Sequence, residues 1–520
     1  MLAQFTRPRP VPRRLVAALG ATALLSTAAC SGGSESSGEG GGASGAGDAT
    51  LALPIQAQPN SLDPAQLQEG QQAFIWTALF DSLFVLDENG EPQPYAAESY
   101  EYSDDLQTLT LTLREGMTFS NGDPVTAEDV AATLERTRTT PGPQQPKLAS
   151  VESVEAPDER TVVLDLSEPD PTLLSNLALA AGVIGDAETL DDDSTALDPV
   201  GSGPYELDTE ATVTGATYVL NRRDDYWNVE DYPFETFRVR VIQDQTAAFN
   251  ALQSGEINAG SVQPAQAQQL QGADFTISEL SPNATASIKI LDREGTMVPA
   301  LADVRVRQAI NMAFDREGIV EGILQGNGEP TETLFAPGTP GYVEPTVYDY
   351  DPEAARALLA EAGYADGFEL TLPATLVSTN FQPTVTQALG EVGIDVTWEP
   401  LPPTDTGSAI QSGAYPAAFW IESLDVPSRV LQDHYSATGS VNPFDVTNPE
   451  IASLYDEIAT TTDVDARTEL YEEAGTVVVD QALDAPIGVI GTRWATTDGI
   501  EFVGTGARPL STIRAFDVAE

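Results

Sequence analysis

Cys30 and His434 are the only thiol and the only imidazole in a chain of 520 residues. That scarcity excludes Cys/His nucleophilic catalysis and multi-histidine zinc sites. A Ser-His-Asp triad would have to use His434, and no Gly-x-Ser-x-Gly elbow precedes it; no Walker or Gly-x-Gly-x-x-Gly phosphate loop occurs either. No cofactor is called for. What remains in quantity is carboxylate, 80 Asp and Glu against 24 Lys and Arg, so a secreted hydrolase of glycosidase or peptidase type, using paired carboxylates, stays open as an alternative. One pair stands out. Glu422 and Asp425 lie three residues apart in "SGAYPAAFWIESLDVPS", Ser412 to Ser428, with no basic residue between Trp420 and Ser428. Two such carboxylates at a cleft would favour a cationic ligand. His434 could ligate a chelated metal, although a lone histidine is more often structural or exposed.

The cysteine has a telling address. Arg7, Arg9, Arg13 and Arg14 precede an uncharged Ala/Leu-rich run, Leu15 to Ala29, that is short for a membrane anchor and suited to a secretory signal. Arg13-Arg14 leaves twin-arginine export open beside the general route. Thr27-Ala28-Ala29-Cys30 resembles the lipobox of bacterial lipoproteins, with Thr27 in place of the usual Leu, which implies cleavage after Ala29 and a lipid on Cys30. An ordinary secretory cleavage leaving a free exported Cys30 is the other possibility. Residues 1–29 are thus expected to be a signal peptide. Residues 30–49, almost wholly Ser, Gly, Ala and Glu beyond Cys30, form a loose tether to the outer face of the cytoplasmic membrane.

The net charge of −56 falls to about −60 once the four leader arginines are removed. Nucleic acid and anionic lipid headgroups are therefore excluded as partners of the body. Only Lys147 and Lys289 represent lysine, and the acidic surface is a solvated one, with salt adaptation as one possible origin. Roughly 470 residues follow the tether, more than one core usually holds, so two or three lobes are expected.

The elements that must position these residues are mixed. "TLTLTL" at 108–113 alternates as a half-buried strand does, and "TVVLDL", "ATYVL", "FRVRVI", "FELTL" and "IDVTW" read alike. Thr126 and Asp129 form a capping box opening "AEDVAATLERTR". In "DPEAARALLAEAGY", Asp351 is the expected N-cap, Pro352 the first helical residue and Gly363 the stop. A longer helix is predicted over Asp303 to Phe314, followed by "DREGIVEGILQG". Gly116 and Gly122 read as turn formers, Asp129 and Asp303 as helix-end groups, and Trp227 as a core aromatic.

From about Pro59 to the C-terminus the chain resembles the extracellular solute-binding proteins of oligopeptide-type ABC importers, the family 5 class of peptide, dipeptide and nickel binders. The resemblance is carried by "NSLDP" at 60–64, "LFDSLFVLDENGEPQPYAAESYEYSDD" at 79–105 and "LREGMTFSNGDPVTAEDV" at 113–130. Further on it is carried by "GSGPY" at 201–205, "RRDDYW" at 222–227, "LQSGEIN" at 252–258, "DVRVRQAINMAFDREGIV" at 303–320 and "ARALLAEAGY" at 355–364. It implies a two-lobed α/β fold of periplasmic-binding-protein type with a third subdomain inserted in the first lobe. By that analogy lobe I takes 50–86, 198–287 and 493–520, the insert 87–197, and lobe II 288–492. It also implies a monomeric receptor that catalyses nothing, closes on a small solute and delivers it to ABC permease subunits. Short peptides are the first expectation, then other amine-bearing solutes or oligosaccharides, then metal chelates.

Peptide-binding relatives carry, in the segment matching Ser412–Ser428, a Gly-x-Tyr-Asp strand, a Gly-Trp pair and an Asp that pairs with the ligand's ammonium group. Matching Gly413 and Tyr415 brings Asp425 onto that anchor and puts Ile421 and Glu422 at the Gly-Trp positions. Matching Trp420 to the family Trp instead leaves Ser423 there. The first register is preferred, because a strand resists a length change that a loop absorbs. Weaker candidates are Gln68 and Glu69, in a loop that relatives send toward the cleft, and Asp292 and Arg293, which end the strand "SIKIL" where relatives usually carry Asn.

Overall fold

A computed structural model describes residues 49–402, 406–504 and 511–519; the leader, Cys30 and the tether up to residue 48 lie outside them. The described chain begins with β1 (Thr50–Ile55) and a short helix α1 (Ala73–Leu79). It then makes β2 (Ala97–Tyr102) and β3 (Thr108–Leu113), the helix α2 (Ala127–Thr139), and β4 (Val151–Glu155) and β5 (Thr161–Leu166). These four strands form an antiparallel sheet in the order β2-β3-β5-β4. The alternation predicted for 108–113 is met: Leu109, Leu111 and Leu113 are at most 1 % exposed, and the intervening threonines face outward. Burying each such leucine stabilises the sheet by about 1.5–3 kcal/mol. Both hydrogen bonds of the Thr126/Asp129 capping box are made. Gly116 and Gly122 sit at φ +79° and +90°, where a side chain would be strained.

After this excursion come β6 (Tyr205–Leu207), β7 (Thr217–Arg222) and β8 (Thr236–Val241). β8 returns to lie parallel beside β1, giving the order β1-β8-β7-β6. The two sheets have separate apolar cores, and Trp227 packs on both. Between them lies a buried polar knot. Asp81, 1 % exposed, accepts from Tyr226 Oη at 2.7 Å and Trp227 Nε1 at 3.3 Å, while Tyr95 Oη meets the hydroxyls of Tyr226 and Tyr232. Arg514 donates to Tyr232 Oη at 2.7 Å and lies 4.2 Å over the Tyr95 ring. Burial pushes the Asp81 pKa up to about 6, against the pull of the Tyr226 and Trp227 hydrogen bonds and the more distant Arg514 and Arg223.

The second half is built on β9 (Ala259–Val262) and the long β10 (Ser281–Ile290). Then follow α3 (Val304–Met312), α4 (Pro352–Glu361), β11 (Phe368–Ala374), α5 (Gln382–Val392) and β12 (Ile394–Pro400). The chain continues through β13 (Ala417–Ser423), α6 (Pro427–Tyr435), α7 (Pro449–Thr460), α8 (Val464–Asp480) and β14 (Ala485–Thr497). Asp351 caps α4 by accepting from the N–H groups of Glu353 and Ala354, and Gly363 at φ +95° follows its end. The helix expected over Asp303 to Phe314 stops at Met312, because Asp315 is used to cap the next short helix, Arg316–Gly322, by accepting from Gly318 N.

β9, β14, β10 and β13 are neighbours in one sheet. β14 pairs with β10 as far as Thr492 and with β9 from Arg493 onward. The positions 287/288 and 492/493, at which the resemblance implies that the lobes divide, fall inside unbroken strands. One core packs under β10, β11 and β13 with α3, α4 and α5, and another between α6, α7 and α8. No helix among the described residues is long and apolar enough to cross a membrane.

Candidate functional site

The alternation of "AAFWIES" along β13 sorts its side chains onto two faces. Phe419 (fully buried, its ring 4.6 Å from that of Phe381) and Ile421 go into the core, opposite Ile288 and Ala286 of β10. Trp420 and Glu422 take the other face, in register with Ser287 and Thr285, and two residues further along β10 that face carries Lys289. The chain then leaves the sheet at Leu424. Asp425 turns its Oδ1 onto Val426 N, and Pro427 starts α6 as a first-turn proline can.

α6 lies against this polar face and completes a cavity of about 190 Å³. Its polar wall is Glu422, Ser423, Asp425, Arg429, Asp433 and His434, and Leu334, Val430 and Val441 supply apolar patches. A second cavity, of about 30 Å³ among Gln56, Gln71, Gln263 and Gln266, has room for about one water.

Three ionic groupings surround the larger cavity. In the first, Lys289 Nζ donates to Glu422 Oε1 and lies 3.1 Å from His434 Nδ1, while His434 Nε2 lies 3.1 Å from Glu422 Oε2. Burial alone would raise the Glu422 pKa, but the charges and hydrogen bonds of His434 and Lys289 outweigh it and bring it down to about 2. In the second, Arg429 Nε stands 3.2 Å from Asp425 Oδ2 and Nη2 reaches Glu69 Oε2 at 3.3 Å. Packing around Asp425 raises its pKa, Arg429 opposes that and Glu69 adds to it. The side chain keeps 31 % exposure and has the Arg429 guanidinium as its partner. In the third, Lys147 Nζ lies 3.7 Å from Asp433 Oδ2.

Asp425, Glu422, Ser423 and His434 are therefore brought to one cavity, with Glu69 joined to it through Arg429. The expectation that nothing basic neutralises Glu422 and Asp425 needs correction. Their counter-charges come from outside the segment, Lys289 and His434 for one and Arg429 for the other. Trp420 packs against Leu291, Ile410 and Ala418 rather than lining the cavity. The Gln68 carbonyl accepts from Trp76 Nε1 and its side chain from Gln72, so it serves its own loop. Asp292 is fully buried and accepts from Thr296 N and Oγ1, Met297 N and Val298 N, which occupies its carboxylate in a turn. Arg293 donates to Ile290 O, His434 O and Asn442 Oδ1, fastening the end of α6.

The residues that sequence reasoning missed are Lys289, Arg429 and Asp433. Two of them left a signal: a lysine inside the apolar "SIKIL", one of only two in the body, and an arginine four residues after Asp425 across a helix start. Among the described residues no group of three or more His, Cys, Asp and Glu is placed to hold a metal ion. Both ring nitrogens of His434 already face partners.

Comparison with known proteins places this site in context. The model of the family described as bacterial extracellular solute-binding proteins, family 5 Middle, matches residues 91–442. The glutathione-binding protein GsiB of Salmonella typhi is 26 % identical over 326 residues, 62 % of this chain and 63 % of that protein. The chain thus spans somewhat under two thirds of the length of that relative. The heme-binding protein A of Haemophilus influenzae is 26 % identical over 444 residues, covering 76 % of this chain and 78 % of that one. Among solved structures, the periplasmic binding protein DppA of Helicobacter pylori in complex with the peptide STSA aligns at TM-score 0.74 and 21 % identity, over 91 % of this chain and 98 % of that one. The binding protein AgaA from A. tumefaciens R10 in complex with agropinic acid aligns at TM-score 0.73 and 25 % identity, over 91 % and 99 %. These likenesses establish the two-lobed α/β architecture.

Proposed function

The chain belongs to the bacterial extracellular solute-binding proteins of family 5, and from that premise we propose that it captures a small amine-bearing solute, a short peptide first, and hands it to an ABC permease without chemical change. In this reading Cys30 carries the lipid that tethers the protein outside the cytoplasmic membrane. The lobes divide as 50–86 with 198–287 and 493–520, then the insert 87–197, then 288–492.

One observation carries the ligand class. Among the described residues Lys289 and His434 face Glu422, Lys147 faces Asp433, and Asp425 shares the guanidinium of Arg429 with Glu69. Asp425, which faces the cavity, therefore has only a shared counter-charge, and a cationic group of the solute completes it. The ionisation of Glu422 disqualifies it as a general acid near neutral pH, which weakens the paired-carboxylate hydrolase.

Mass spectrometry of solute retained by natively purified full-length protein tests the proposal. A set of short peptides or another amine is the expected result; turnover of any candidate, or a purely anionic ligand, would sink it.

A further inference from the structure

Lys289 Nζ, which has only donors, reaches Glu422 Oε1, and His434 presents Nε2 to Glu422 Oε2 at 3.1 Å. Two donors from different elements, β10 and α6, therefore converge on the two oxygens of one carboxylate. That arrangement is what a carboxylate-binding site consists of, and Glu422 is the carboxylate in it. The donors are deeply placed, with side chains 2 % and 9 % exposed, whereas Glu422 is 18 % exposed and lines the cavity.

Glu422 also has a second place to go. Its cross-strand neighbour Thr285, and Ser287 on the same face of the sheet, are 1 % and 0 % exposed, and among the described residues their hydroxyls have no hydrogen-bond partner. Buried hydroxyls are costly when left unmade, so two on one face beside a charged site indicate a position that something polar occupies in another state.

We propose that Lys289 and His434 form an oxyanion subsite of the solute cavity, filled by Glu422 in this structure, and that a carboxylate-class group of the incoming solute takes it while Glu422 moves onto Thr285 and Ser287. The inference rests on the cavity being the solute site. It has a consequence for selectivity. A resident carboxylate tied to its own strand competes at high effective concentration, so a simple acid loses to it. Only a solute that also engages Asp425 wins the exchange.

His434 is the sole histidine of the chain, so its ring resonances are unambiguous in the full-length protein. The probe is acetate, with chloride at equal ionic strength as control. In Glu422→Ala, acetate is expected to shift the His434 signals saturably and at least about tenfold more tightly than in the parent, and Lys289→Met in that background is expected to abolish the shift. Glu422→Gln, which keeps the volume, is read in parallel in case the smaller side chain does not fold. Acetate without effect in both variants, or with equal effect in variant, double variant and parent, overturns the proposal. Solute retained by the parent is recorded separately, so an empty cavity and a missing subsite give different results.

Discussion

Arg429 meets Glu69, a residue 360 positions earlier in the chain, at 3.3 Å, and with the same guanidinium stands 3.2 Å from Asp425. Glu69 comes from the loop between β1 and α1, and Arg429 from α6 behind the long strands, so this group joins distant parts of the chain at the cavity.

Asp425→Asn keeps the shape and removes the charge. Loss of one partner of a water-poor charge pair costs on the order of 2–5 kcal/mol, so titration calorimetry with the retained solute is expected to show affinity reduced about 30-fold or more. Ser423→Ala is expected to change it by less than about threefold, under 1 kcal/mol. The reverse pattern would move the anchor to Ser423.

Glu69→Gln removes the reach across to Arg429. The Glu69 side chain is 34 % exposed, and such pairs contribute about 0.2–1 kcal/mol. A two- to fivefold faster solute release is expected at low salt, shrinking as salt rises; an effect that ignores salt would remove the electrostatic explanation.

Lys289→Met strands Glu422 beside the core. Breaking a buried pair costs about 3–5 kcal/mol, whereas replacing both members with apolar groups is often neutral. Urea denaturation should show Lys289→Met strongly destabilised and Lys289→Met with Glu422→Leu recovering most of the loss. A double variant as unstable as the single one would mean that packing, not charge, was lost.

Asp81 and Glu422 give pH dependences of opposite sign. Asp81, with its pKa raised from 3.8 to about 6, binds a proton in the folded state that the unfolded chain releases. Its contribution, about 3 kcal/mol, is present below pH 3.8 and lost as pH rises through 6. Glu422, lowered from 4.5 to about 2, contributes above pH 4.5 and loses that as pH falls through 2. In thermal melts, Asp81→Asn should gain on the parent between pH 4 and 6.5, and a constant difference across that range would count against the assignment.

Much of the scaffold was legible because its signals are local. The threonine-leucine alternation at 108–113, the Thr126/Asp129 box and the Asp351-Pro352 start each involve residues within six positions of one another. The charge state of the site was not, because Glu422 and Lys289 are 133 residues apart and Arg429 and Glu69 are 360 apart. A segment read alone shows its carboxylates and hides the cations that strand pairing delivers. Asp292 failed as a candidate for the opposite reason. Its partners, Thr296, Met297 and Val298, lie within six residues, so a turn-forming role was visible beside the ligand role.

The unbroken run of β10 and β14 side by side in one sheet has a mechanical meaning. Strands joined by a ladder of hydrogen bonds resist sliding, since a one-residue slip would turn every side chain to the wrong face. They still bend and twist. In the proposed receptor, bending of these strands would let the cavity open by something close to a single rotation, like a page turning on a stiff binding.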